Sequence, residues 1–236
     1  MRVSIMQPGY LPWLGFFELI YNSDLFVLFD DVQYTKKDWR NRNRIRTSNG
    51  WIWLTVPVLT KGNRLQHICQ ARINNSTNWS QKHLKAVEIN YKKAEYFTKY
   101  FIGLQKIFDS KWDYLVDLDL EIIKWVADSM GIEKRILKSS ELNIKADGQE
   151  KIIEVCKRLG SNELYDSKAA ALLLNEEDFM KKGIKLVFQN YEHPVYEQVY
   201  RPFFPYMSAI DLLFNCGEKS LKVMLNKGYS QCAQAR

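Results

Sequence analysis

The spacing of apolar side chains changes character along this chain. Val3-Ser4-Ile5-Met6 reads as a short strand, and Gln7-Pro8-Gly9-Tyr10-Leu11-Pro12 ends it, because two prolines and a glycine support neither a ladder nor a helix. Phe16, Phe17, Leu19 and Ile20 then predict a short helix ending near Asn22-Ser23. Leu25 to Phe29 is an unbroken apolar run bounded by polar residues, the pattern of a strand buried on both faces in a parallel sheet. Strand, helix and strand in such close succession predict a βαβ unit with a right-handed crossover.

Residues 31–50 are polar and basic. Trp51 to Val58, rich in aromatic and β-branched side chains, predicts another strand; Lys61-Gly62-Asn63 predicts a turn, and Ile68 to Ile73 a further short strand. From Trp79 to Met130 the period becomes helical: Leu84, Val87 and Tyr91; then Tyr96, Tyr100, Leu104 and Ile107; then, past a break near Asp109-Ser110, Leu115, Leu118, Ile122, Trp125 and Val126, with Gly131 as the stop. Strands are expected over Arg135–Leu137, Glu163–Tyr165 and Ile184–Phe188. Helices are expected over Gln149–Leu159, near Glu176–Lys182, over Ser208–Cys216 and over about 218–227. Alternating strands and helices predict one α/β domain over 1–236: a mainly parallel, Rossmann-like sheet flanked by helices, with a helical subdomain about 79–130.

With 236 residues, 46% of them apolar and 26% charged, the chain can bury a substantial core, which excludes the disordered, collagenous and disulfide-scaffold classes. No apolar run approaches the length of a membrane-spanning helix, and the N-terminus lacks the apolar stretch of a secretory signal, so a cytoplasmic protein without a membrane span is expected. Cys69, Cys156, Cys216 and Cys232 form no Cys-x-x-Cys pair, and the histidines are His67, His83 and His193; reduced thiols, and no structural zinc, are expected. The charge is uneven. Residues 36–72 hold nine Lys or Arg against Asp38, so this segment carries +8 while the whole chain carries +7. A local excess of this kind points to one anion-binding surface.

Three places could carry chemistry. The loop from Gln7 to Gly15, with Tyr10 at its centre, follows the first strand, on the edge where open α/β sheets bind ligands; Gly15 opens a helix whose amides could face an anion, and a packed hydrophobic corner is the plainer alternative. Asp30-Asp31 closes the second strand. One carboxylate would cap or orient while the other serves as base or as a ligand to Mg²⁺ beside phosphates, or both simply mark a solvated strand end. Trp39-Arg40-Asn41-Arg42-Asn43-Arg44-Ile45-Arg46 places arginine at every second position. If extended, the arginines share one face, with Trp39, Asn41, Asn43 and Ile45 on the other. Guanidinium forks grip carboxylate or phosphate in two-point geometry, and Asn41 and Asn43 could fix hydroxyls or amides. His67, His83 and His193 are acid/base candidates, because imidazole is the side chain whose ordinary titration lies near neutral pH, although a lone histidine on a helix is more often structural. Residues 196–208 are aromatic and proline-rich, read chiefly as a packed cap, and Ser208 with Asp211 three residues on approaches a capping box.

Ile5-Met6-Gln7-Pro8-Gly9-Tyr10-Leu11-Pro12-Trp13-Leu14-Gly15-Phe16-Phe17, Phe29-Asp30-Asp31-Val32-Gln33-Tyr34, Asn41-Arg42-Asn43, Leu54-Thr55-Val56-Pro57-Val58, Trp79 with His83 and Tyr91–Phe97, and Ser208–Gly217 together closely resemble the WbqC-like family, in order and over nearly the whole chain. The resemblance implies surface-polysaccharide work, in O-antigen or lipopolysaccharide synthesis. A looser likeness, strand to proline loop to glycine at a helix start, is similar to nucleotidylyltransferases and pantothenate synthetases. The His-x-Gly-His of those enzymes falls here on Trp13-Leu14-Gly15-Phe16, so no donor stands ready for phosphate charge.

The expected activity is transfer of an acyl or aminoacyl group to a nucleotide-linked amino sugar. Lys36, Arg40 and Arg42 would hold phosphates, Asn41 and Asn43 would orient the sugar, and Asp31 or His83 would accept the amine proton. Gln7, Tyr10, Gly15, Gln33, Ser208, Asp211 and Asn215 complete the expected binding set. The partners are then a nucleotide-linked sugar and an acyl or aminoacyl donor, and no cofactor or metal is specified. The alternatives are an RNA-binding protein using aminoacyl-tRNA, with Trp39, Trp51 and Trp53 as stacking surfaces, and a non-catalytic scaffold of a polysaccharide-assembly complex.

Overall fold

The structure, a computed structural model, describes residues 1–63 and 65–226. Arg64, Cys232 and the last residue of the helix expected over 218–227 lie outside the described residues. In chain order the elements are β1 (Arg2–Met6), α1 (Leu14–Tyr21), β2 (Leu25–Leu28), β3 (Arg42–Thr47), β4 (Gly50–Thr55), α2 (Trp79–Tyr91), α3 (Phe97–Asp109) and α4 (Leu115–Ser129). They continue with β5 (Arg135–Lys138), α5 (Gly148–Arg158), β6 (Glu163–Asp166), α6 (Glu176–Lys181), β7 (Lys185–Phe188), α7 (Ala209–Cys216) and α8 (Ser220–Met224). They fall into two compact units.

The first unit comprises 1–8, 15–32 and 133–192. It is built on a five-stranded parallel sheet ordered β5-β2-β1-β6-β7. Val3 pairs with Leu25 and Ile5 with Val27, so equivalent faces line up across β1 and β2. One face gathers Val3, Ile5, Leu25 and Val27 against Ile153 and Cys156 of α5 and Phe179 of α6. On the other, Phe16 of α1 meets Phe26 edge-on at 5.1 Å, and the Ser4 hydroxyl donates to the Leu19 carbonyl. Every residue of β2 is buried, which is what its unbroken apolar run requires.

The described residues of the second unit fall within 9–14, 33–132 and 193–226. Its β-structure is antiparallel: β3 and β4 pair from Arg42↔Thr55 to Thr47↔Gly50 around the two-residue loop Ser48-Asn49. The strand expected over Ile68–Ile73 is instead a short 3₁₀ turn at Ile68–Gln70, followed by isolated bridges from Arg72 to Tyr114 and from Ile73 to Val58; six residues are too few to hold a ladder once a helical turn takes three of them. Helices α2, α3 and α4 supply the expected helical stretch, and their buried residues include Leu84, Val87, Tyr91, Leu104, Leu118 and Ile122. Gly217 ends α7 with φ +55°, and a Cβ there would sit 2.3 Å from the Tyr96 ring, so only glycine fits.

Candidate functional site

The arginine stretch is extended over β3, and its alternation sets the chemistry of both hairpin faces. Antiparallel pairing places Arg44 opposite Trp53 and Arg46 opposite Trp51. The Arg42 guanidinium stacks on Trp53 at 4.3 Å; that of Arg44 lies 5.1 Å from Trp51, 5.5 Å from Trp39 and 5.9 Å from Trp53. Trp39 therefore joins the arginine face, a correction to its expected place opposite: it precedes the strand, and its ring packs on Trp53 at 5.2 Å. Trp39 and Trp51 remain 46% and 39% exposed, which leaves apolar ring surface available beside guanidinium groups.

The arginines are not equivalent. Arg46 is fully buried; Nη1 donates to the Thr47 and Gly50 carbonyls, Nη2 donates to the Pro202 carbonyl at 2.8 Å, and the group packs 4.5 Å from the Phe204 ring. It is a latch on the 196–206 segment. Arg44 gives Nη2 to the Tyr206 carbonyl at 3.0 Å. Arg40 pairs with Asp38. Arg42 has no side-chain hydrogen bond or ion pair among the described residues, and its Nε is buried without a partner. Lys36 is exposed, as is Gln33, whose backbone bridges to His67.

The asparagines between them serve the backbone. Asn43 Nδ2 donates to the Leu11 carbonyl at 2.7 Å and its Oδ1 accepts from the Arg44 amide; Asn41 Nδ2 donates to the Val56 carbonyl. Both are buried, so the expected sugar-orienting role passes to a structural one: they fasten β3 to the Tyr10–Leu11 loop and to the end of β4. That loop lies against the arginine segment, with the Tyr10 amide bonded to the Trp39 carbonyl at 3.0 Å.

Tyr10 and His83 are brought together, with Tyr10 Oη 2.8 Å from His83 Nδ1, inside a cluster with Trp79 and Phe108. Burial outweighs a hydrogen bond to the Thr55 backbone and holds the imidazole pKa down to about 4. A neutral, enclosed ring already bonded to a phenol is a core residue, and His83 is not carried forward as proton acceptor. A pH effect follows. Between its ordinary 6.5 and about 4 the unfolded chain takes up a proton that the folded chain refuses. Stability is therefore expected to fall by about 3 kcal/mol as pH drops through that window. Urea unfolding at pH 7 and pH 4.5 checks this, and His83→Gln should remove the drop.

Ser208, Asp211 and Asn215 organise α7. Ser208 caps it by accepting from the Ile210 amide, and its own amide bonds the Arg44 carbonyl at 2.9 Å. Asn215 Nδ2 donates to the Asp211 carbonyl at 2.7 Å. Asp211 is fully buried: Tyr91 donates to Oδ1, while Tyr196 and Gln198 donate to Oδ2. Burial raises its pKa against the pull of these donors and of Arg46. A carboxylate so enclosed holds the core and offers nothing to a ligand, correcting its place in the binding set.

In the first unit the two aspartates are spoken for. Asp30 is buried and accepts from the Ser140 amide at 2.9 Å and the Ser140 hydroxyl at 2.8 Å. Asp31 pairs with Lys151 at 2.6 Å and accepts from Ser139. With its carboxylate engaged by an ammonium and a serine hydroxyl, Asp31 is not carried forward as proton acceptor either. Gly15 is buried in α1, its carbonyl accepting from Gln189 at 2.8 Å, and Gln7 follows β1 partly buried.

Sequence reasoning missed Lys151 and the burial of Arg46. It also missed Asp119, fully buried on α4 with neither oxygen hydrogen-bonded among the described residues, and pushed well up in pKa by desolvation. Only its isolation in the apolar period of α4 marked it. Among the described residues no cluster of three His, Cys, Asp or Glu could hold a metal, and no helix is long and apolar enough to cross a membrane.

The family model described as the WbqC-like protein family matches residues 7–223. The chain is 35% identical over 222 residues to the uncharacterized protein Rv1507c of Mycobacterium tuberculosis (strain ATCC 25618 / H37Rv), an alignment covering 93% of this chain and 95% of that protein. No solved structure matches.

Proposed function

Since this chain belongs to the WbqC-like protein family, we propose that it is a transferase of surface-polysaccharide synthesis, acting in the cytoplasm on a nucleotide-linked amino sugar and adding an acyl or aminoacyl group to the amine. The diphosphate lies along the arginine–tryptophan face of the β3–β4 hairpin. One observation carries this reading: Arg42 stacks on Trp53 with no carboxylate or carbonyl claiming its guanidinium, inside a segment of charge +8. A cation already desolvated on one side by an indole, and left without an anion, is prepared for a phosphate. Lys36, exposed, adds a further positive charge, and the open rings of Trp39 and Trp51 offer stacking to a nucleobase. Asp31 and His83 are not the base in this reading.

Calorimetry against a panel of nucleotide-linked sugars tests it. At least one should bind, and Arg42→Ala should weaken it about tenfold or more, the worth of a charge-assisted hydrogen bond. No binding by any member, or binding indifferent to Arg42, defeats the proposal.

A second reading draws support from the linear order of the ladder, in which cations and rings alternate along one strand pair. That repeat suits single-stranded RNA, such as the end of an aminoacyl-tRNA donor. It predicts an RNA affinity that falls steeply with salt; no gel shift at low ionic strength removes it.

A further inference from the structure

One histidine ties together the two ends of the 193–206 segment, whose Tyr206 carbonyl meets this same face. His193 sits among the rings of Tyr196, Phe203 and Tyr206, the last edge-on at 4.9 Å. Its two nitrogens have different duties. Nδ1 lies 2.9 Å from the Pro194 carbonyl, which can only accept, so Nδ1 carries the proton. Nε2 receives the backbone N–H of Tyr206 at 3.1 Å, so Nε2 is bare. A single tautomer satisfies both bonds. Tyr206 has φ +59°, a conformation a bulky side chain seldom adopts without outside support. Its carbonyl in turn accepts from Arg44 Nη2 at 3.0 Å, and Arg44 is the guanidinium set among three indoles.

We propose that His193 is a positioning residue for the anion-binding face: its bare Nε2 fixes the Tyr206 backbone, the Tyr206 carbonyl fixes Arg44 among Trp39, Trp51 and Trp53, and a proton arriving on Nε2 releases both. This rests on reading that face as a phosphate site. A protonated Nε2 would point one donor at another, and the Tyr206 turn loses its only bond to the ring. The titratable groups facing the imidazole are the phenols of Tyr196, which donates to Asp211, and Tyr206; Arg44 acts through the Tyr206 carbonyl. Burial disfavours the imidazolium more than the Pro194 carbonyl favours it, so the positioning form is the resting form at neutral pH and release lies on the acid side of 6.5.

The experiment has ligand-free and ligand-bound arms on the full chain. Long-range nitrogen-15 spectra of the histidines at pH 7 should show His193 as the Nδ1–H tautomer, and tryptophan emission should shift as that ring titrates. UDP-glucose is the probe for binding, because its diester diphosphate keeps its charge from pH 8 to pH 5. Its affinity should hold from pH 8 to 7 and fall on the acid side of 6.5, by about tenfold once the ring is protonated, the effect of removing one charge-assisted hydrogen bond. His193→Gln, whose Oε1 can accept the Tyr206 amide without titrating, should keep the neutral affinity and lose both the acid fall and the emission shift. His193→Ala should weaken binding at every pH. If UDP-glucose does not bind the native chain at all, the phosphate reading is in trouble, while the tautomer and the emission shift still decide the His193 device. An Nε2–H tautomer, or an emission titration unchanged in His193→Gln, overturns it.

Discussion

Replacing Asp211 by alanine should cost the second unit about 4 kcal/mol, because three buried donors lose their acceptor at once. The Tyr91 hydroxyl donates to Oδ1 at 2.8 Å; the Tyr196 hydroxyl and the Gln198 amide donate to Oδ2 at 2.7 and 2.8 Å. The Tyr91 oxygen also accepts the Arg46 amide at 2.8 Å, so the defect reaches the arginine strand. Each stranded donor costs about 1–3 kcal/mol, offset in part because the carboxylate no longer has to be buried. Asp211→Asn should cost about half as much: one amide oxygen still serves Tyr196 and Gln198, while the amide nitrogen turns a donor toward Tyr91. Urea unfolding followed by tryptophan emission ranks the three proteins. Alanine within about 1 kcal/mol of the native chain would show that the network is not cooperative.

This residue also shows where reading the chain stops. The helix over Ser208–Cys216, its serine cap and its glycine stop were all legible, because caps and apolar period are local signals. That Asp211 faces inward to Tyr91 and Tyr196 was not, since all three of its partners lie outside its helix and one of them is 120 residues away. The same division holds elsewhere. The apolar run of β2 and the periods of α2 to α4 announced themselves, and the parallel sheet followed from alternation. The β3–β4 pairing did not, because Arg42–Thr47 is almost devoid of apolar residues and its stability comes from indoles on the neighbouring strand. Even with the strand extended, nothing in the spacing separates Arg46, sealed by the Pro202 carbonyl and the Phe204 ring, from Arg42, which has no such covering.

In the first unit, Lys151→Ala should destabilise by about 3–5 kcal/mol, the usual consequence of removing one partner of a buried ion pair. The side chains of Lys151 and Asp31 are only 6% and 14% exposed, their charged atoms are 2.6 Å apart, and Nζ also donates to the Asp31 carbonyl at 3.2 Å. Without the ammonium, Asp31 keeps a single serine hydroxyl to offset a nearly dry negative charge. Asp31→Asn should cost less, because a neutral amide beside Lys151 still accepts one hydrogen bond and leaves an ammonium that can reach the Asp31 carbonyl. The paired change Lys151→Met with Asp31→Leu removes both charges, and should cost less than Lys151→Ala alone. That ordering separates a structural pair from a catalytic carboxylate. A proton acceptor held in reserve would give Asp31→Asn a stability near the native value and an activity near zero. An ion pair that ties the end of β2 to α5 gives a stability loss in each single variant and a coupling energy of about 1 kcal/mol or more between the two positions.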